Sequence, residues 1–385
     1  FPYSRQSIDS DDKKAVLKVL NSELITQGPL VEKFERQFSK KVNSKYATAC
    51  NSATSALHIA CLALNFTSKD ILWTVPNSFV ASANCAKLIG GKVDFVDINP
   101  ITFNIDLFHL EKKLKLAKKK KKLPKILVPV HFAGQPPNQD GIYKLAKKYK
   151  FKILEDASHA LGSEYKGEKV GSCKWSDVTV FSFHPVKTIT SAEGGMVTTN
   201  IKDVQIKMQM FKNSGITKNK KFFTKKNSAG WYYEQQYLGL NYRMNEISAA
   251  LGLSQLKKVG MFVKKRNKIA NMYKKRLNLK NLILPIVNKN CFSSYHLFVI
   301  RINDKNYKQK QLKLFNFLRK RKILVNVHYL PIHLQPYYRK MGFKKGDFYN
   351  SEKHSESCIS IPIYPDLKLK EINKVIRLIK HFFKK

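Results

Sequence analysis

The hydrophobic positions change their period along the chain. Between about residues 45 and 200 they gather in short, nearly continuous runs rich in β-branched residues: ILWTV (71–75), KVDFVDI (92–98), KILVPVHF (125–132) and FKILED (151–156). Runs of this length and composition predict parallel strands covered on both faces. Stretches of helical period lie between them, NQDGIYKLAKKYK (138–150) among them. Strand and helix in alternation are the rhythm of an α/β layer. Two further strands, VTVFSF (178–183) and GGMVTTN (194–200), are expected in close succession. From 244 onward the period turns helical, and MNEISAALGLSQLKKVGMFVKKRNKIANMYKKRL predicts one long helix. A smaller α+β unit should follow: strands HLFVIRI (296–302) and ILVNVHY (323–329), a helix over 308–322, and an amphipathic closing helix, LKEINKVIRLIKHFF (369–383). The pattern divides the chain into a large α/β unit with an N-terminal arm (1–245) and a connecting helix plus small α+β unit (246–385).

Length agrees with that division, because 385 residues exceed what one compact core holds. An apolar content of 43% supports a folded core. There is no apolar run long enough to span a bilayer, and FPYSRQSIDSDDKKAVLKVL lacks the apolar stretch of a signal peptide. Six scattered cysteines without a C-x-x-C pair fit a reduced, cytoplasmic chain with no structural zinc. The charge is unusual: 71 Lys and Arg against 27 Asp and Glu, a net +44. Such a surface attracts polyanions, but it describes solubility and nonspecific attraction rather than fold. The densest run, EKKLKLAKKKKKLPK (111–125), has no interleaved aromatics and reads as an exposed connector between a helix and a strand. Neither a specific nucleic-acid partner nor a membrane partner is expected.

Three stretches carry candidate chemistry. In CNSATSAL (50–57), small hydroxyl residues stand before an apolar helix. A helix N-terminus offers free N–H groups to an anion, although capping by Ser52 or Thr54 accounts for this stretch taken alone. In ILEDASHALGS (153–163), Asp156 closes a hydrophobic strand. A carboxylate there either caps a helix or pairs with a bound cation, such as a protonated pyridine nitrogen. In SFHPVKTITSAEGG (182–195), Lys187 follows a strand end. Such a lysine is either a surface residue or, when desolvated, a nucleophile toward carbonyls. Anion cradle, ring-nitrogen carboxylate and Schiff-base lysine, in that order, together specify pyridoxal 5′-phosphate.

With these motifs the chain resembles the DegT/StrS group of sugar-nucleotide aminotransferases, within the fold type I pyridoxal phosphate enzymes. The likeness runs through LITQGPLVEKFE (24–35), NSATSALHIA (51–60), VPNSFVASAN (75–84), ILEDASHALGSEYKGEKVGS (153–172), FSFHPVKTITSAEGGMVTTN (181–200), GLNYRMNEISAALGLSQL (239–256) and VHYLPIH (327–333). It is strongest toward the transaminases that form UDP-4-amino-4,6-dideoxy-N-acetyl-β-L-altrosamine on the route to pseudaminic acid. Many other relatives carry Gln where His159 stands and Tyr where His184 stands.

The resemblance implies a large domain with a mostly parallel sheet flanked by helices, a smaller C-terminal α+β domain, and a homodimer whose active site lies between subunits. It implies transfer of an amino group from L-glutamate to C4 of a UDP-4-keto-6-deoxy-sugar. Lys187 would be the catalytic, cofactor-bonding lysine and Asp156 the partner of the ring nitrogen. His159 would contact the ring oxygen, and Phe79 would stack on the ring. Ser52, Ala53, Thr54 and Ser182 would hold the phosphate, with Asn241 reaching it from the neighbouring subunit. Tyr3, Thr26, His184, Arg243, His328 and Tyr329 would contact the nucleotide-sugar. Glu193 reads as part of a structural turn. His328 and His333 lack a third ligand at suitable spacing, so no metal is expected. The competing possibilities are a transaminase for another keto nucleotide-sugar, a dehydratase, or a polyanion-binding regulator. The dehydratase branch carries His in place of the lysine, and no separate helix-turn-helix module is evident for a regulator.

Overall fold

The computed structural model describes residues 1–225 and 229–384. Its centre is a seven-stranded sheet. The strands are β1 (Tyr46–Cys50), β2 (Ile71–Thr74), β3 (Lys92–Phe95), β4 (Ile126–Val128), β5 (Lys152–Asp156), β6 (Val178–Ser182) and β7 (Gly195–Thr199). Their spatial order is β1-β7-β6-β5-β4-β2-β3. All are parallel except β7, which runs antiparallel to both neighbours.

The near-continuous apolar runs are explained by cover on both faces. Leu72, Ile126, Val128, Leu154, Val178 and Val180 pack on one side with Leu57 and Ile59 of α3 (Ala53–Ala63) and Met208 of α7 (Lys202–Phe211). Trp73, Leu127 and Ile153 pack on the other side with Leu110 and Leu114 of α5 (Leu107–Lys119) and Ile142 and Leu145 of α6 (Gln139–Tyr149). Each fully buried side chain of this size contributes about 2 kcal/mol. At the β1 edge, Phe34 and Phe38 of α2 (Pro29–Val42) cover Phe181 and Met196. β1 itself, Tyr-Ala-Thr-Ala-Cys, has little strand signal, and its place is set by its register against β7, Tyr46 opposite Thr199.

A second, antiparallel sheet joins Leu282–Ile283, Phe298–Ile302 and Cys358–Ile361. The closing helix Leu369–Lys384 lays Ile372, Val375, Ile376 and Ile379 into its core.

Three expectations are corrected. The lysine run is helical as far as Lys119, because Leu110, Leu114 and Ala117 form a buried stripe on α5 with lysines on its outer face; only 120–125 connect. The long helix is two, α8 (Glu246–Leu256) and α9 (Val259–Arg276). At the joint, Lys258 Nζ is held by Asp9 and Asp12 of the N-terminal arm at 2.6 and 2.9 Å. The segment 323–329 is not a sheet strand: Leu324 bridges only to Pro2 and Asn326 only to Ser360. It leaves the second sheet to reach the first, where the Tyr329 N–H donates to buried Asn77 Oδ1 at 3.1 Å. Among the described residues no helix is long and apolar enough to cross a membrane.

Candidate active site

In an open parallel sheet, the carboxyl ends of the strands leave backbone groups and loops facing a common crevice. Here β1, β2, β4, β5 and β6 all end beside one cavity of about 530 Å³. Ser52 to Thr54 follow β1, Ser78 and Phe79 follow β2, Val130 follows β4, Asp156 closes β5, and Ser182 closes β6. Tyr3 from the arm and Asn326 to Tyr329 from the crossing segment complete the wall.

Ser52 is the N-cap of α3, and its Oγ accepts the Ser55 N–H at 3.1 Å. Ala53 and Thr54 supply the N–H groups that the first helical turn leaves without intrahelical partners. β7 begins hard against this turn. A Cβ on Gly195 would lie 2.4 Å from the Ser52 carbonyl oxygen and 2.7 Å from the Ala53 nitrogen, so only glycine permits the approach.

Asp156 is buried. Its Oδ2 accepts the Ser82 hydroxyl at 2.6 Å and its Oδ1 the Ser158 N–H at 3.1 Å. Both donors are neutral, and a buried carboxylate held this way is suited to a bound cation.

Lys187 sits in the turn after β6, its N–H bonded to the His184 carbonyl at 2.9 Å. The arm pins that turn, since Ser4 Oγ donates to the Val186 carbonyl at 2.8 Å. Burial lowers the Lys187 amine to about 8, with Asp156 partly opposing the shift. Burial also drives His159 well below its ordinary value, reinforced by Lys187 and His328. His328 is pushed down to about 3 by burial and by Lys187. The site therefore pairs the Asp156 carboxylate with one easily deprotonated amine and two imidazoles, His159 and His328, that burial keeps neutral.

Twelve of the fifteen expected residues line this single cavity: Tyr3, Ser52, Ala53, Thr54, Phe79, Asp156, His159, Ser182, His184, Lys187, His328 and Tyr329. Thr26, Asn241 and Arg243 do not; Arg243 Nη1 instead donates to Asn213 Oδ1 at 2.6 Å, and Asn241 bridges to Asn213. Ser82 and Ser78 escaped sequence reasoning, although they stand together in VPNSFVASAN at helical spacing and their hydroxyls lie 2.8 Å apart. Glu193, expected only to shape a turn, lines the cavity. His333 pairs with Glu352 at 3.0 Å, and no metal-binding cluster occurs among the described residues.

Pyridoxal 5′-phosphate fits what these residues offer: a helix N-terminus for the phosphate, a buried carboxylate for the ring nitrogen, and a deprotonatable lysine for the aldehyde. The model of the DegT/DnrJ/EryC1/StrS aminotransferase family matches residues 6–380. A UDP-4-amino-4,6-dideoxy-N-acetyl-β-L-altrosamine transaminase of Campylobacter jejuni is 39% identical over 372 residues, covering 96% of this chain and 94% of that one. The Helicobacter pylori aminotransferase PseC, involved in the biosynthesis of pseudoaminic acid, superposes with a TM-score of 0.89 at 34% identity, over 99% of this chain and 98% of that one. A sugar aminotransferase of Streptococcus pneumoniae, described as putative and known in its pyridoxamine phosphate form, gives 0.91 at 26% identity over 100% and 99%. Its pyridoxal phosphate form is matched as well, with a TM-score of 0.89. With a cavity that fits pyridoxal phosphate at the carboxyl edge of the sheet and a family match spanning nearly the whole chain, this protein belongs to the DegT/DnrJ/EryC1/StrS aminotransferase family.

Proposed function

We propose that this chain transfers the amino group of L-glutamate to C4 of a UDP-4-keto-6-deoxy-N-acetylhexosamine, giving UDP-4-amino-4,6-dideoxy-N-acetyl-β-L-altrosamine. Glutamate would leave as 2-oxoglutarate, its new keto oxygen taken from one water, and the sugar's keto oxygen would leave as another, so that no water is consumed or made overall. The observation that carries the proposal is the gathering of Lys187, Asp156 and the α3 N-terminus in one cavity. The likeness to the Campylobacter jejuni transaminase supports the choice of sugar.

When bound, pyridoxal 5′-phosphate supplies a carbonyl that accepts the amino group and a ring that takes up the electrons released at the substrate carbon. The remaining tasks fall to the chain. Asp156 stabilises positive charge on the ring nitrogen, with Ser82 and the Ser158 N–H fixing its two oxygens. Ser52, Ala53, Thr54 and Ser182 hold the phosphate. Lys187 Nζ, lowered to about 8, gives up and regains a proton near neutral pH, as a group that acts first as base and then as acid must. Neutral His159 adds no positive charge beside that amine. Phe79 would cover the ring, and Tyr3, His184, His328 and Tyr329 would face the sugar.

The chain is proposed to act as a cytoplasmic homodimer, divided into units at 1–245 and 246–385. In the dimer, Thr26, Asn241 and Arg243 would complete the cavity of the neighbouring copy. Large exposed apolar side chains at Leu24, Ile25, Trp231 and Leu238 support that association. Incubation with pyridoxal 5′-phosphate, L-glutamate and the L-arabino 4-keto sugar nucleotide, followed by NMR of the product, tests the reaction. The 4-amino altrosamine product is expected; amination of a different keto-sugar in preference would replace the substrate assigned here. Mixing Lys187→Ala with Arg243→Ala chains tests the shared site: a fraction of sites with the KM of the unsubstituted chain is expected to reappear, and none if each copy works alone.

A further inference from the structure

A concavity of about 740 Å³ lies in the small unit, larger than the catalytic cavity and sharing no residue with it. One wall is the closing helix Leu369–Lys384, and the other is Arg276, the last residue of α9. Arg276 Nη1 donates to Asn373 Oδ1, which ties the two helices together at the groove. Lys370, Lys374, Arg377, Lys380 and Lys384 follow one another at steps of three and four residues, so they stand along one flank of the helix. With Arg276 they put six permanent cations around one groove, and among the described residues no carboxylate lines it.

The fold gains nothing from this line. Like charges three or four residues apart destabilise a helix. Cations suit the last turn of a helix dipole, but Lys370 stands in the first turn, where the dipole opposes it. Carboxylates of the same unit are engaged elsewhere: Asp366 with Lys265, Glu356 with Lys308 and Lys345, and Asp304 with Lys310. On the lysine-rich helix α5, by contrast, Glu111 stands between Lys115 and Lys148.

The lining narrows the anion that would neutralise these charges. Six cations match several negative charges held close together, more than one phosphate or carboxylate carries. The guanidinium forks of Arg276 and Arg377 suit phosphate oxygens in pairs, and the lysines act as point charges. Among the described residues no Phe, Tyr or Trp lines the groove, so a nucleic-acid base would find no stacking platform there. The volume is that of a small-ligand site.

We propose that this groove binds a chain of condensed phosphates, free or as the triphosphate of a nucleotide, apart from the transamination site. The charge that sequence reads as diffuse solubility is here gathered into a concave site. The proposal depends on neither the sugar nor the cofactor assigned above.

The test uses the full chain loaded with pyridoxal 5′-phosphate. Inorganic tripolyphosphate, ATP and orthophosphate are titrated by calorimetry at physiological salt, where charges more than about 8 Å away are largely screened. Tripolyphosphate and ATP should bind within about threefold of each other, and at least roughly tenfold more tightly than orthophosphate. Replacing Lys374→Gln, Arg377→Gln and Lys380→Gln together should weaken both at least roughly tenfold, with transamination unchanged and the unfolding midpoint not lowered. Replacing Lys118→Gln, Lys119→Gln and Lys121→Gln removes the same charge at the end of α5 and should change affinity by less than about twofold. Equal weakening by the two triple variants, or no weakening by the first, overturns the proposal. So does binding that requires the nucleoside, or tripolyphosphate that binds no more tightly than orthophosphate.

Discussion

At the floor of the cavity, Asp156 and Lys187 stand at or just beyond the ends of strands, with fixed partners and a shifted amine. At its mouth, Phe79 is 60% exposed and His184 extends into solvent, while Thr26 and Arg243 lie outside the cavity of the single chain. The floor is held by the sheet itself, since a strand whose neighbours are buried cannot shift without breaking its ladder. The mouth is held by loops and, in the proposed dimer, by a second copy. The chemistry common to many substrates therefore sits where the fold is least free. The choice among substrates sits where loops can change without cost to the core.

Perturbing the floor should have the largest effect. Lys187→Ala is expected to lower transamination by at least roughly 10³-fold, measured as product formed by NMR, because it removes the group proposed both to bond the cofactor and to carry the proton. Asp156→Asn should lower turnover by about 10²-fold or more, since a neutral amide no longer stabilises a protonated ring nitrogen. Ser82→Ala, which removes only one of the two donors fixing Asp156, should have about a tenth of the turnover of the unsubstituted chain. If Ser82→Ala matched Asp156→Asn, the floor would depend on the serine network more than on the carboxylate.

A mouth variant should behave differently. Arg243→Ala is expected to raise KM for the nucleotide-sugar about tenfold while leaving cofactor affinity unchanged; a loss of cofactor instead would erase the contrast between the two regions. The smallest effect in energy, though the sharpest in sign, is the titration of Lys187. Because its pKa is lowered to about 8, its labelling by an amine-reactive probe in the cofactor-free chain should rise through a midpoint near 8. Ordinary lysines rise only near 10.4. A midpoint shared with the surface lysines would mean that the turn is solvated.

Gly195→Ala examines the seam between cradle and sheet. With its Cβ 2.4 Å from the Ser52 carbonyl oxygen, the variant should lose about 1–3 kcal/mol in denaturant unfolding and bind phosphate-bearing ligands more weakly. Stability loss without weaker binding would separate the helix N-terminus from the anion site.

The parallel strands, the helices between them and the trio Ser52–Thr54, Asp156 and Lys187 were legible from one sequence. Strand periodicity and the residue types that surround a pyridine ring are local signals. Ser82 was not legible as the partner of Asp156, because its importance comes from a hydroxyl 2.6 Å away across 74 positions of sequence. The segment 323–329 has the composition of a strand, but it bridges only at Leu324 and Asn326 and is tied through Tyr329 to Asn77 beside the first sheet. The lysine run looked like a connector until Leu110, Leu114 and Ala117 were seen on one buried face of α5.

Sequence alone determined the architecture and the cofactor and nominated the residues that would touch it, because apolar period and chemical type are written residue by residue. Tertiary structure decided the states of those residues. Whether Lys187 is easily deprotonated and whether His159 and His328 are neutral depend on burial and on atoms brought together from distant strands and loops. Desolvation and hydrogen-bond geometry arise only once the chain has closed around the cavity.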